Sequence, residues 1–249
     1  QIELEVFRSK DDLEDVDLML SIGGDGTFLE CVTLIQEREI PVLGINSGRL
    51  GFLATTALHQ IKPHLEALFN NYFTTESRTL LEFTSNKPEI FKDAPIALNE
   101  FAILKRDSSS MIVVNAYIDG EFLNSYWADG LILSTPTGST GYSLSVGGPV
   151  VVPNSGNFII APISPHNLNV RPLIVPDTSV IAFEVTGRSD KFLAVLDSRY
   201  EKVDATIQIA VKKADYKAHF VRLQQETFLK TLRQKLNWGM DIRNYPKDY

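Results

Sequence analysis

Two patterns of hydrophobic and polar positions divide the chain. Up to about residue 75, short apolar runs alternate with stretches whose apolar residues recur every three or four positions. This predicts a strand over 17–22, a helix over 27–37, a strand over 41–45 and a helix over 58–71, the last with Leu58, Ile61, Leu65, Leu68 and Phe69 on one stripe. Beyond Arg78 the period changes to short runs rich in Val, Ile, Phe and Tyr, punctuated by Gly, Pro, Asn and Asp. Ile112 to Tyr117, then Asp119-Gly120, then Glu121 to Trp127 predicts a hairpin, because Asp-Gly tolerates the positive φ angles of a type I′ turn. Further strands are expected at 80–84, 101–105, 131–134, 157–161, 180–186, 192–197, 205–213 and 216–222. A last helix is expected from Gln225 to Leu236, with Gly239 as its stop signal. The reading is an α/β domain over 1–76, rejoined by 225–249, and a β-sandwich over 77–224.

The bulk numbers narrow the partners. At 249 residues with 44% hydrophobic and 22% charged, the composition is that of a globular protein with a sizeable core. A net charge of −7 argues against nucleic acid or an anionic membrane as the main partner. One cysteine, Cys31, allows no internal disulfide and no thiolate metal site, and His59, His64, His166 and His219 sit at no ligand spacing, so no resident metal is expected. No signal segment or membrane-spanning run is visible, and the expected location is cytoplasmic.

Three segments carry the candidate chemistry. In the first, the apolar run Asp17 to Ile22 ends in Gly23-Gly-Asp-Gly-Thr27, three glycines around one carboxylate, at the start of a helix. Bare glycine amides and a helix N-terminus suit a phosphate, whereas the carboxylate of Asp25 suits a proton acceptor or a partner for a hydroxyl. A tight turn without a ligand is the alternative. Neither common nucleotide motif is present: Gly-x-Gly-x-x-Gly would need glycine at Leu29, and no phosphate loop ending in Gly-Lys-Ser/Thr exists. The second segment, Asp129 to Pro149, sets seven Ser/Thr hydroxyls among repeated glycines, which suits ribose hydroxyls, phosphate oxygens or an adenine edge, with Tyr142 able to stack on a base. A Ser/Thr-rich surface loop is the alternative there. The third, Asn99-Glu100, is a polar pair opening a strand, and ordinary turn chemistry explains it equally well.

Taken in order, Gly23 to Thr27, Ile45 to Leu53, Asn99-Glu100, Asp129 to Pro149 and Pro165 to Pro172 resemble the NAD kinase family over most of the chain. The glycine turn alone is shared with lipid kinases of the diacylglycerol and sphingosine type; the long Thr-Pro-Thr-Gly-Ser-Thr-Gly-Tyr run singles out NAD kinases. The resemblance implies a bacterial-type enzyme with a Rossmann-like α/β domain, a β-sandwich domain and the active site between them. It implies transfer of the γ-phosphate of ATP, as its Mg²⁺ complex, to the 2′-hydroxyl of the adenosine ribose of NAD. By that analogy Asp25 accepts the hydroxyl proton, and Gly23, Gly24, Gly26 and Thr27 line the phosphate site. Phe52 walls the pocket, Asn99 and Glu100 orient the nucleotide, and Asp129 bonds the dinucleotide. Thr137, Thr140, Gly141, Tyr142, Ser143, Leu144 and Ser145 frame the adenine and ribose. It also implies a homo-oligomer, a dimer or tetramer.

Several departures qualify the match. Glu30 and Trp127 stand where many relatives carry basic residues, leaving Arg49, Lys105, Arg106 or a neighbouring subunit to supply charge, or Trp127 to stack. Asp197-Ser-Arg199 replaces an Asp-Gly-Gln element. Family members open with a further strand and helix, so the α/β domain is expected to lack them here. The rival readings are a lipid kinase of the same superfamily and a non-catalytic NADP-binding regulator.

Overall fold

The computed structural model describes residues 5–7, 9, 13, 15–48, 51–106, 111–187, 191–223 and 227–238. The chain opens with β1 (Met19–Gly23), α1 (Asp25–Ile35), β2 (Val42–Asn46), a two-residue β3 (Thr56–Ala57) and α2 (Ile61–Phe69). The strands β1, β2 and β3 run parallel, with α1 between the first two, the crossover geometry expected of an α/β unit. Next come β4 (Phe73–Ser85), β5 (Ile96–Ala97), β6 (Glu100–Lys105), β7 (Ile112–Ile118), β8 (Glu121–Ala128) and β9 (Gly130–Ser134). A 3₁₀ turn (Thr137–Thr140) and a four-residue α3 (Tyr142–Ser145) follow, then β10 (Asn157–Ile163) and β11 (Leu173–Pro176). The chain continues through β12 (Ile181–Gly187), β13 (Lys191–Leu196), β14 (Arg199–Asp204), β15 (Gln208–Leu223) and α4 (Phe228–Leu236).

Among the described residues nine strands form one sheet, whose main path is β1-β2-β15-β12-β7-β8, and six form a second, ordered β11-β10-β9-β6-β13-β14. The fold is therefore α/β joined to an antiparallel β sandwich. The two sheets meet through an aromatic core in which Phe101 of the second lies 5.6 Å from both Phe83 and Phe183 of the first. On the other side α1 buries Phe28, Val32 and Ile35, with Phe28 edge-on to Phe220 at 4.6 Å.

Strand β15 is the main revision of the sequence reading. The expected strands at 205–213 and 216–222 are one strand of 16 residues, paired along most of its length with β4. Between Lys213 and Lys217 the register slips, so β15 advances four residues while β4 advances two, from Leu81 to Thr79. That bulge absorbs the Ala214-Asp-Tyr stretch, which reads locally as a break. Its partner β4 begins at Phe73 rather than 80, because β15 supplies hydrogen bonds to a polar stretch that propensity alone does not favour. Strands β3, β5, β11 and β14 fall outside the expected set; each pairs with a single neighbour at a sheet edge.

The hairpin agrees with expectation, with Asp119 at φ 52° and Gly120 at φ 84°, both positive as a type I′ turn requires. Helix α1 begins two residues earlier than expected and α2 is preceded by a 3₁₀ turn at Leu58–Gln60. Helix α4 starts after Thr227, whose hydroxyl accepts the Lys230 N–H at 3.2 Å, and Asn237 in the left-handed region ends it. Gln225 and Gly239 lie outside the described residues. No described helix is long and apolar enough to cross a membrane.

Candidate active site

The glycine turn sits where β1 ends and α1 begins. Gly24 is extended and its carbonyl accepts from Phe28 N at 3.2 Å, so Asp25 becomes the first helical residue. Gly24 and Gly26 are exposed, with nothing within 4 Å of where a Cβ would stand, so their backbone is open to a bulky anion. Gly23 is different: a Cβ there would strike the Thr27 hydroxyl, so these two residues pack on each other.

The Asp25 carboxylate reaches across to the second glycine loop. Its Oδ2 accepts from Phe52 N at 2.9 Å, and its Oδ1 from Leu53 N and Ala54 N at 3.1 Å each. A Cβ on Gly51 would overlap Oδ1, so only glycine lets the loop close on this side chain. A carboxylate offers about four acceptor positions, and three are taken by amides, which leaves room for about one further donor. Asp25 is thus both the clamp on the 51–54 loop and a fixed, half-buried acceptor beside open glycine amides. Above Phe52 stands Lys235 of α4, its ammonium 5.7 Å from the ring centre and without an ion pair among the described residues.

Asn99 and Glu100 open β6 and are held by a residue that the sequence reading left without a role. Asp197 accepts from the amides of Leu98 (2.8 Å), Asn99 (2.8 Å) and Glu100 (3.0 Å). It can do so because it takes the left-handed conformation, φ 54°, at the turn after β13. Burial raises its carboxyl above the usual range, while the three amides and the Arg199 guanidinium oppose that. Arg199 itself donates to the carbonyls of Ala94, at 2.5 Å, and Ile96, so it fastens the segment leading into β5.

The hydroxyl-rich segment spends much of its chemistry on itself. Thr135 Oγ1 donates to the Leu98 carbonyl at 2.6 Å, Ser139 Oγ to the Pro136 carbonyl at 2.7 Å, and Val151 N donates to Ser139 Oγ at 3.0 Å. Gly138 packs so tightly on the Asn99 carbonyl that a Cβ would overlap it. These bonds lock the 3₁₀ turn onto Asn99-Glu100. Tyr142 and Ser145 are exposed, and Thr140, Gly141 and Leu144 half-buried; Thr137 and Ser143 are buried. Gly141 faces the Glu100 carboxyl, whose Oε2 would lie 2.9 Å from a Cβ there and has no partner among the described residues.

Glu100 is consequently an unusual acid. Burial foremost, and the Asp197 charge next, push its carboxyl up to about 8, against one bond from the Tyr142 amide. In the fold it keeps its proton between about pH 4.5 and 8, whereas an unfolded chain releases it. Stability contributed by this site is full below pH 4.5 and declines as pH rises toward 8, by about 1.4 kcal/mol per pH unit at the steepest. Glu100→Gln, which cannot ionise, should flatten that decline: melting temperatures match wild type near pH 5 and exceed it at pH 8. Parallel melting curves across this range would refute the assignment.

The segments form two groups, with one residue outside both. Asn99, Glu100 and the 137–145 turn form one cluster, and Asp25 with Gly24, Gly26 and Phe52 a second; Asp129 belongs to neither. In the β6/β9 ladder Glu100 pairs with Ser134 but Leu104 with Gly130, so Asp129, just before β9, is at the far end, five residues or roughly 17 Å from Ser134. There Lys105 Nζ holds it at 2.6 Å, which also removes Lys105 from the candidates for a free phosphate contact. Glu30, Arg106 and Trp127 are exposed, and Arg49 lies outside the described residues. Among the described residues no three His, Cys, Asp or Glu side chains are grouped to hold a metal.

An α/β unit that presents a carboxylate-bearing glycine turn, joined to an antiparallel sheet domain with a locked hydroxyl-rich turn, defines a two-domain nucleotide kinase. Family models described as the ATP-NAD kinase N-terminal domain and the ATP-NAD kinase C-terminal domain match residues 3–73 and 98–223. The chain belongs to the NAD kinase family. The NAD kinase of Cytophaga hutchinsonii is 58% identical over 238 residues, covering 96% of this chain and 81% of that protein. That of Flavobacterium psychrophilum is 48% identical over 240 residues, covering 96% and 82%. Among solved structures, an NAD kinase from Archaeoglobus fulgidus in complex with ATP superposes with a TM-score of 0.80 at 31% identity, covering 94% of this chain and 88% of that one. A yeast NADH kinase complexed with NADH gives 0.86 at 28%, covering 96% and 71%.

Proposed function

We propose that this NAD kinase moves the γ-phosphoryl group of MgATP to the 2′-hydroxyl of the adenosine ribose of NAD, with Asp25 taking the hydroxyl proton. What supports this role is the Asp25 carboxylate, fixed by three amides with one acceptor position left, beside the open backbone of Gly24 and Gly26. The 2′-oxygen forms the new P–O bond while the bond from the γ-phosphorus to the β,γ-bridging oxygen breaks; the proton goes to Asp25 and ADP leaves with its Mg²⁺. Phosphoryl transfer asks the protein for alignment and charge stabilisation, which a fixed carboxylate beside open glycine amides can supply.

In this reading Gly24, Gly26 and the start of α1 face the phosphates, with Thr27 holding the turn through its packing on Gly23. Lys235 supplies positive charge that Glu30 does not. Asn99 and the protonated Glu100 present donors to the nucleotide, and Thr140, Tyr142 and Ser145 border it from the exposed side. Thr137, Gly141, Ser143 and Leu144 shape the floor from within. Asp129, at the remote end of β9, serves a ligand only where a second copy of the chain brings it near, in keeping with the homo-oligomer expected of the family. We place the enzyme in the cytoplasm, where both substrates are found.

The test is direct: incubate the chain with MgATP and NAD and follow NADP with a coupled dehydrogenase. NADP formation is expected. NADP binding without turnover would instead indicate a non-catalytic regulator, and phosphorylation of a lipid but not of NAD would indicate the lipid-kinase alternative.

A further inference from the structure

Between the two site clusters lies a group of charges, Arg78 buried and Glu76 and Arg222 half-buried, that the chemistry above does not use. Glu76 and Arg78 of β4 share a face with Ala218, Phe220 and Arg222 of β15. Glu76 Oε2 accepts from Arg78 at 2.9 Å and from Arg222 Nε at 2.8 Å. Both guanidiniums stack on the ring of Phe220, at 5.0 and 5.5 Å, and Phe220 in turn meets Phe28 of α1. The free ends of the two arginines diverge. Arg78 Nη1 donates to Thr137 Oγ1 at 3.3 Å, at the head of the hydroxyl-rich turn. Arg222 Nη1 donates to Thr55 Oγ1 at 3.4 Å, immediately after Ala54, whose amide is on Asp25.

We infer that Glu76, Arg78 and Arg222 are positioning residues for the phosphoryl transfer: the pair of guanidiniums on one carboxylate sets the distance between the Asp25 loop and the nucleotide-holding turn. A continuous path of contacts runs from Asp25 through Ala54-Thr55, Arg222, Glu76 and Arg78 to Thr137. Each link is rigid. The guanidinium forks are planar, the carboxylate is held from two sides, and the ring of Phe220 fixes both planes.

Stability alone does not explain the cluster. Two cations and one anion leave one positive charge in excess, Arg78 is 3% exposed, and its Nε–H has no partner among the described residues. Burial pushes the Arg78 guanidinium down to about 10, still charged at neutral pH. Apolar residues of similar volume commonly replace such buried ionic groups without loss of stability. Neither arginine needs to reach substrate; their value is that the donor and acceptor halves of the site come from different sheets and must be aligned to within a fraction of an ångström.

The inference rests on the placement of the reaction beside Asp25, and the experiment separates the two. In the full chain, Arg78→Met, assayed well below its melting temperature, should lower kcat by roughly 10² and leave KM for MgATP and NAD within about twofold. Arg78→Lys, which retains charge but not the fork, should lower kcat as well and serves if the methionine variant does not fold. Thr55→Val should lower kcat at the other end of the path. Arg78 and Thr55 stand at opposite ends of the path, so independent effects would multiply in the double variant, whereas a shared path makes the double variant little worse than the worse single. Multiplying losses, or an unchanged kcat in Arg78→Met and Arg78→Lys, overturn the inference. Full activity in Asp25→Asn overturns instead the placement on which it rests.

Discussion

Asp25→Asn should lower kcat for NADP formation by about 10²–10⁴, the range that removal of a positioned base gives, with KM for either substrate changed far less. Three amides fix the carboxylate at 2.9 to 3.1 Å, so its free position points in one direction only, and a hydroxyl there meets an oriented acceptor. Asparagine keeps the shape and one carbonyl oxygen, but its NH₂ group would face an amide N–H where the second carboxylate oxygen now accepts. The variant therefore loses the base and loosens the 51–54 loop together. Asp25→Ala should lower kcat to a similar extent and also raise KM, because the loop then has no clamp. Steady-state kinetics of both variants against MgATP and NAD decide the matter, and an Asp25→Asn enzyme within about tenfold of wild type would remove Asp25 from the reaction.

The second large effect is structural. Asp197→Ala should destabilise the protein by about 3–5 kcal/mol, because three buried amides and the neighbouring Arg199 lose their acceptor and counter-charge at once. For a chain of this size that corresponds to a fall in melting temperature of roughly 6–20 °C. Asp197→Asn, which can still accept through one oxygen, should lose about half as much. Nucleotide affinity should fall in both variants below their melting temperatures, since Asn99 and Glu100 are aimed by the backbone that Asp197 holds. Calorimetry and NAD titration check the pair; an Asp197→Ala protein that melts with wild type would show that the amides find other partners.

The sequence was most legible where chemistry is local. The Gly23 to Thr27 turn, the Asp119-Gly120 hairpin and the inner strands β6, β9, β10 and β13 of the second sheet follow from glycine geometry and alternation within a few residues. Legibility failed where a partner distant in sequence decides the outcome. The polar start of β4 is a strand only because β15 pairs with it, some 140 positions later, and β15 is one strand only because a bulge carries it past Ala214 to Tyr216.

The site divides in the same way. Asp25, Asn99 and Glu100 stand in recognisable motifs, but the residues that aim them do not. Asp197 works through a left-handed turn after β13, Arg78 and Arg222 through a ladder, and Lys235 through a helix at the other end of the chain. One weak signal existed: an arginine in an otherwise apolar strand end, as at Arg222 between Val221 and Leu223, asks for a buried partner. Hydroxyl density misled in the opposite direction, because Thr135 and Ser139 serve the backbone rather than a ligand.

Strand β15 begins against β12 in the sandwich and ends against β2 in the α/β unit, with β4 beside it almost throughout. The two halves of the enzyme thus hang on one beam. A hinge between them would have to shear hydrogen bonds rather than bend a linker, so their mutual placement is set at folding. Whatever closes over the substrates must be loops and side chains moving on a frame that stays still.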